Sequence, residues 1–92
     1  MVNKIKTPTI HLNGTSASGL TEDYLRQLRA VNCAIDALAD TPPHGRDYFR
    51  GESFHALTEH ADRRAALVKI SQEIQEILIS IQSQQESRGK KS

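Results

Sequence analysis

The sequence predicts an all-α protein, an antiparallel helical hairpin with a short extended N-terminal arm. Apolar residues recur at helical spacing in two long stretches, and a loop rich in proline and glycine separates them. The 92-residue chain has no Trp and is only 4% aromatic, so its core consists of Leu, Ile, Val and Ala. Such a core favours helix packing over a β-sandwich. A chain of this length buries about 60% of its unfolded surface, which predicts one marginally stable domain.

Residues 1–19 are predicted to form the arm, without a helix. This segment is polar and turn-rich, and only residues 9–12, which follow Pro8, are typical of an extended segment. Asn13 and Gly14 then indicate a tight turn. We therefore assign residues 1–19 to an extended arm that ends in an Asn-Gly turn.

The first helix is predicted to begin near Thr21 and to run to about Asp40. The Thr21 side chain can cap the first backbone amides, and Glu22 and Asp23 lie at the positive end of the helix dipole. The Thr-Pro-Pro sequence at residues 41–43 stops the helix. Positions at alternating four- and three-residue spacing form a single apolar stripe, namely Tyr24, Leu28, Val31, Ile35 and Leu38.

A loop over residues 41–53 and a second helix follow. The loop contains two prolines and two glycines and is long for a connection between helices. Ser53 is expected to cap the second helix, which meets no glycine or proline before Gly89. We assign residues 20–83 to the hairpin and residues 84–92 to a polar tail that frays. The apolar stripe of the second helix comprises Phe54, Leu57, Ala61, Leu67, Ile70, Ile74, Ile77 and Ile81.

The two predicted helices have unequal lengths, roughly 30 Å and 45 Å. An antiparallel hairpin therefore leaves about four turns at the end of the second helix without a partner in the chain. Each apolar side chain left exposed there forgoes about 1.5–3 kcal/mol, so we expect a second copy to cover them in a homo-oligomer. The alternative is that the arm folds back over them through Ile5, Ile10 and Leu12. The overhanging residues are Ile74, Ile77, Leu78 and Ile81.

Charge and cysteine content limit the functions and the cellular compartment that the sequence supports. The net charge is +1, too neutral for a domain that binds nucleic acid mainly through phosphates. The lone Cys33 excludes an internal disulfide and indicates a reducing compartment. No apolar run suits a signal peptide or a membrane span, so we expect a cytoplasmic protein without membrane contact. Nucleic-acid binding is an alternative for the basic terminal residues Lys4, Lys6, Arg88, Lys90 and Lys91.

No catalytic, metal or cofactor site is predicted. Cys33 lies among apolar residues of the first helix, a pattern typical of a small buried hydrophobe rather than an activated thiolate. His55 and Glu59 are one helical turn apart, as metal ligands can be. However, His60 follows His55 by five residues and points in another direction. We therefore expect both histidines to be exposed or half-exposed residues near acidic neighbours.

The loop is the first candidate binding site. It places two guanidinium groups, an imidazole and two aromatic rings in one short segment. Arg pairs with phosphate or carboxylate and Tyr stacks on a base, so the segment predicts a site for a small anionic, nucleotide-like ligand. One alternative is that Asp47 pairs with Arg46 or Arg63 to fix the loop. In that case Tyr48 and Phe49 plug the top of the hairpin. The predicted ligand-binding residues here are Arg46, Tyr48, Arg50, His60 and Arg63.

The Asn-Gly turn is the second candidate site. Asn13 and Thr15 offer side-chain hydrogen bonds beside exposed amides, a combination that can hold an anion. We expect both residues to join the ligand site, and the alternative is a simple turn without a ligand. In a hairpin monomer this turn lies at the end opposite the loop. A shared site therefore requires that the arm fold back or that a second copy bring the two segments together.

Three short segments carry a family resemblance: His-Leu-Asn-Gly-Thr-Ser at residues 11–16, Pro-His-Gly-Arg-Asp-Tyr-Phe at residues 43–49, and Glu59-His60 with Arg63. Together they resemble small uncharacterised helical accessory proteins of tailed phages and prophages, over most of the chain up to about Ile81. The resemblance implies an accessory protein in the cytoplasm of a bacterial host and supplies no activity. In size and helical style alone, the chain is also similar to small phage proteins that sequester nucleotide immune signals, although it lacks their residue patterns.

These observations predict a non-enzymatic, oligomeric binding protein for a small anionic ligand, such as a nucleotide immune signal in counter-defence. The alternative is a protein-interaction module that engages and modulates a host or phage protein through the loop and the apolar overhang. An enzyme is disfavoured because the sequence shows neither a nucleophile beside a base nor a cluster of metal ligands.

Overall fold

A computed structural model of the protein describes residues 5–11 and 14–89. They form two α-helices, α1 (Ala17–Asp40) and α2 (Glu52–Gly89), with a 3-10 turn (Gly45–Asp47) in the loop between them. The two helices pack against each other, and the described ranges contain no strand. Within the same ranges, neither helix has the apolar length that a membrane span needs. The predicted all-α helical hairpin is confirmed.

The first helix begins earlier than predicted. Ser16, not Thr21, is the cap, because the Ser16 Oγ accepts a hydrogen bond from the amide of Gly19 at 3.1 Å. The earlier start is favoured because it adds a turn of backbone hydrogen bonds and places Leu20 within the half-buried side of α1. The predicted arm without a helix is therefore too long by three residues, since α1 starts at Ala17.

The boundaries on both sides of the loop agree closely with the prediction. The first helix ends at Asp40, because Pro42 disfavours the helical conformation of the residue before it. The second helix begins at Glu52, one residue before the predicted cap. Gly51 precedes it with a φ angle of 85°, a backbone conformation that glycine adopts without the strain of a side chain.

Two contacts between the helices fix their register. The Nε2 of His60 donates to the carbonyl of Leu38 at 2.8 Å, and the Ser71 Oγ donates to the Oδ1 of Asn32 at 3.3 Å. The end of α1 therefore lies beside His60, and the first two turns of α2 extend past α1 at the loop end. The predicted overhang is at the wrong end of α2. The long loop allows α2 to begin beyond the end of α1, which a tight hairpin excludes.

Burial follows from this register. The predicted stripe of α1 is half-buried at all five positions. In α2, Ile74 and Ile81 are buried, with 6% and 0% of their surface exposed. Phe54 and Leu57 were expected in the same apolar stripe, but they are 76% and 45% exposed. Both lie in the turns that extend past α1, so no partner helix covers them.

The arm folds back onto the C-terminal half of α2. The side-chain amide of Gln84 joins the arm backbone at two points, since its Oε1 accepts from the amide of Ile10 and its Nε2 donates to the carbonyl of Pro8, both at 2.9 Å. Ile5 and Ile10 are half-buried. The fold-back in the predicted alternative is therefore observed at Gln84, whereas cover of the apolar end of α2 by the arm stays a prediction. Leu12, the third apolar residue of that prediction, lies outside the described residues.

The expectation that a second copy must cover Ile74 and Ile81 is wrong, because the chain buries both by itself. Homo-oligomer formation stays a prediction, but the need to cover Ile74 and Ile81 no longer supports it. The predicted fraying is wrong for residues 84–89, since α2 continues to Gly89, and residues 90–92 lie outside the described residues. The helix extends this far because the arm lies along it and pairs with Gln84.

Candidate functional site

Backbone hydrogen bonds hold the loop between the helices in a defined shape. The Nδ1 of His44 accepts from the amide of Arg46 at 3.2 Å and caps the 3-10 turn. The carbonyl of Gly45 accepts from the amide of Tyr48 at 3.2 Å, and the carbonyl of Phe49 accepts from the amide that begins α2 at 2.9 Å. His44 thus has a structural role in the loop, and the aromatic residues that follow it are presented from a fixed turn.

The loop end of the hairpin exposes most of the aromatic surface of the protein. Tyr48 is 42% exposed and Phe49 is 82% exposed, so the predicted plug at the top of the hairpin is wrong. The reason is that α1 ends beside His60, so it does not reach far enough to cover the loop. Three of the four aromatic residues of the chain lie here. We define the loop-end surface as Arg46, Tyr48, Phe49, Arg50, Phe54 and Leu57.

The guanidinium groups of the loop-end surface have no ion-pair partner among the described residues. Among the described residues, the contacts between a basic and an acidic side chain are Arg26 with Asp23, near the start of α1, and His55 with Glu59, each at 3.3 Å. The predicted pairing of Asp47 with an arginine is not formed. Arg46 and Arg50 therefore remain available to an external partner.

A cleft of about 420 Å³ opens between the loop and the start of α2. It is lined by Arg46, Asp47, Tyr48, Phe49 and Glu52. One guanidinium group and two carboxylates thus share this cleft, so the attraction of the arginine for an anion is opposed by two negative charges. The arrangement suits a partner that contacts the aromatic rings and meets the arginine at the edge better than it suits an isolated phosphate.

The structure does not bring the predicted ligand-binding residues together. Only Arg46 and Tyr48 line one cleft, and Arg50 follows them in the loop. The ring of His60 is engaged with the end of α1, while Arg63 lines a different groove. Thr15 lies before the start of α1, separated from the loop by the whole length of that helix. The fold-back of the arm does not change this, because the arm lies along the far end of α2.

The structure also bears on the remaining residues that the sequence singled out. Asn13 lies outside the described residues, as do Lys4, Lys90 and Lys91 of the basic termini. The amide of Gly14 donates to the carbonyl of His11 at 3.2 Å, which is the backbone bond of a turn.

Cys33 is exposed, not buried as expected, because it lies off the apolar stripe of α1. Within the described ranges, no group of three or more His, Cys, Asp or Glu is placed to hold a metal ion.

The exposure of Phe54 and Leu57 differs from the prediction. Phe54 and Leu57 share helical spacing with later apolar residues of α2, and this pattern alone indicates a core position. The length of the loop was the available signal, because a long connection permits α2 to begin before it meets α1. No protein-family model, curated protein or solved structure matches this chain.

Proposed function

We propose that the protein is a non-enzymatic interaction module that engages a partner protein through the loop-end surface. The observation that carries the proposal is the exposure of Phe49 and Phe54, at 82% and 76%, on a chain that buries few large side chains. Exposed apolar patches of this kind are typical of interaction sites. Aromatic residues and arginine are also the residues that contribute most at protein interfaces.

The chemistry of the surface specifies the kind of partner. Phe49 and Phe54 supply the apolar contact, and the unpaired Arg46 and Arg50 supply positive charge beside it. The complementary partner presents an apolar pocket with acidic residues at its rim. The capped 3-10 turn and Gly51 fix the backbone that carries Tyr48 and Phe49 before binding, which lowers the ordering cost of association. The resemblance to phage and prophage accessory proteins makes a bacterial host protein or a phage protein the partner that we expect.

A paired-variant capture experiment tests this proposal. We expect the double variant Phe49→Ala, Phe54→Ala to bind its partner at least tenfold more weakly, since two interface anchors together exceed about 1.4 kcal/mol. Partners are first captured from bacterial lysate with the full chain, and each is then purified for direct titration. The control is Ile79→Ala, which removes an exposed apolar side chain outside the loop-end surface.

The loss of helical circular dichroism on heating, measured for both variants, shows whether each remains folded at the titration temperature. A partner that binds the control and the full chain equally, but not the loop variant, supports the proposed surface. If the loop variant retains full affinity for every captured protein, the interface lies elsewhere and the proposal fails.

A small anionic, nucleotide-like ligand is the second candidate, and one observation favours it. Arg46 and Tyr48 line the same cleft, where a guanidinium group can pair with phosphate while a ring stacks on a base. Calorimetric titration with cyclic and linear nucleotides tests this function. We expect Arg46→Ala to weaken binding roughly tenfold and Arg64→Ala, an exposed arginine away from the cleft, to leave it unchanged. Undiminished binding to the Arg46 variant, or no binding to any nucleotide, contradicts it.

A further inference from the structure

One side of α2 contacts the arm near its C-terminal end and is exposed near the loop. Positions at alternating three- and four-residue spacing share this side of the helix. Its C-terminal half is half-buried, and Gln84 there holds the arm through Pro8 and Ile10. Its half nearer the loop is exposed, including Ile70 at 43%. The residues of this side, in order from the loop end, are Arg63, Ala66, Ile70, Glu73, Ile77, Ser80 and Gln84.

The exposed half borders a groove of about 460 Å³ between α1 and α2. Ala66, which lines the groove, precedes Gln84 by five helical turns and therefore lies on the same side of α2. The groove and the arm contact at Gln84 thus lie along the same side of α2. Small side chains leave the space open, and the lining residues are Ala34, Ala37, Leu38, Thr41, Arg63, Ala66 and Leu67.

We propose that this groove binds an extended apolar segment of a partner protein that carries a carboxylate opposite Arg63. The arm indicates the kind of occupant, because its backbone already pairs with Gln84 on the same side of α2. This binding site is separate from the loop-end surface and does not depend on it.

The charges around the groove specify the acidic group. Arg63 has no ion-pair partner in the part of the chain that the structure describes, and Glu59, one turn before it, pairs with His55 at 3.3 Å. The hydroxyl of Thr41 donates to the carbonyl of Ala37 at 2.7 Å, so it does not offer a competing donor to the ligand. A second copy's arm is a poor occupant, because its Lys6 brings positive charge towards the arginine.

Peptide titration of the isotope-labelled full chain tests the proposal by nuclear magnetic resonance. The probes are acetylated tetrapeptide amides with Val or Leu at the first three positions, each made with Glu or Gln at the fourth. We expect the Glu peptides to shift the backbone amides of Ala34, Ala37, Ala66 and Leu67. The Gln peptides are expected to bind roughly three- to fivefold more weakly, the range of one exposed ion pair.

Three variants separate the proposed site from general adhesion. Arg63→Gln should weaken the Glu peptides to the level of the Gln peptides, whereas Arg64→Gln, the adjacent exposed arginine, should not. Ala66→Leu, which fills the groove, should abolish the shifts for both peptides. Shifts confined to the loop, equal binding by the Arg63 and Arg64 variants, or no shift at the groove amides at millimolar peptide would each overturn the proposal.

Discussion

Ile81→Ala is expected to lower the free energy of unfolding by about 2–5 kcal/mol, because truncating a buried Ile removes its transfer energy and leaves a cavity. Ile81 has no exposed surface, and the other buried apolar residues among those described are Ala56 and Ile74. With so few buried side chains, the loss is a large fraction of the roughly 5–15 kcal/mol that typically holds a domain folded. Urea unfolding monitored by helical circular dichroism measures it.

Ile79→Ala is the matched control for this experiment. The chemical change is the same two residues away, but Ile79 is 63% exposed. We expect the control to stay within about 0.5 kcal/mol of the unaltered chain, as surface substitutions usually do. The urea midpoints of the two variants can be compared directly if the free energy of unfolding falls with urea at the same slope in both. Equal losses in the two variants would mean that Ile81 is not covered from within the chain.

The features predicted correctly from the sequence are those set by local patterns. The apolar stripe of α1 follows from its alternating four- and three-residue spacing, and the end of α1 follows from the proline at position 42. The start of α1 was missed because Ser16 and Thr21 are both capable caps. A choice between two caps depends on whether the added turn finds packing partners, and that is not a local property.

The features that the sequence did not predict depend on contacts between distant residues. The register depends on the pairing of Asn32 with Ser71, and polar residues at those positions give no sign of their partners. The arm contact depends on Gln84, whose amide can pair with any extended backbone that reaches it. Because the register was missed, Phe54 was assigned to a core stripe and the uncovered part of α2 was placed at the wrong end.

The composition of the candidate site also depends on contacts between distant residues. Arg46 and Tyr48 were predicted together because they are neighbours in one loop, and they do line one cleft. His60 and Arg63 were added by their position on the next helix, but helix positions alone do not say which side faces α1. His60 lies against the end of α1 and Arg63 lines the groove between the helices. Their ligand-binding role stays a prediction.

Removal of residues 1–11 is expected to destabilise the protein and to increase its self-association. The truncation removes both backbone bonds to Gln84 and exposes the part of α2 that the arm contacts, while it also removes the entropic cost of ordering the arm. We expect a net loss of about 2 kcal/mol, which corresponds to a melting temperature roughly 10 °C lower for a chain of this size. Light scattering should show a larger mean mass for the truncated chain than for the full chain at equal concentration.

Gln84→Ala separates the arm contact from the loss of the arm itself. It deletes both bonds but keeps the apolar residues of the arm tethered, so we expect a smaller loss of about 1 kcal/mol and no change in mass. Gln85→Ala, at the exposed neighbouring position, should change neither quantity. If the truncated chain melts and scatters like the full chain, the arm does not cover α2 in solution. The apolar end of α2 would then need another cover, and the case for a second copy of the chain would return.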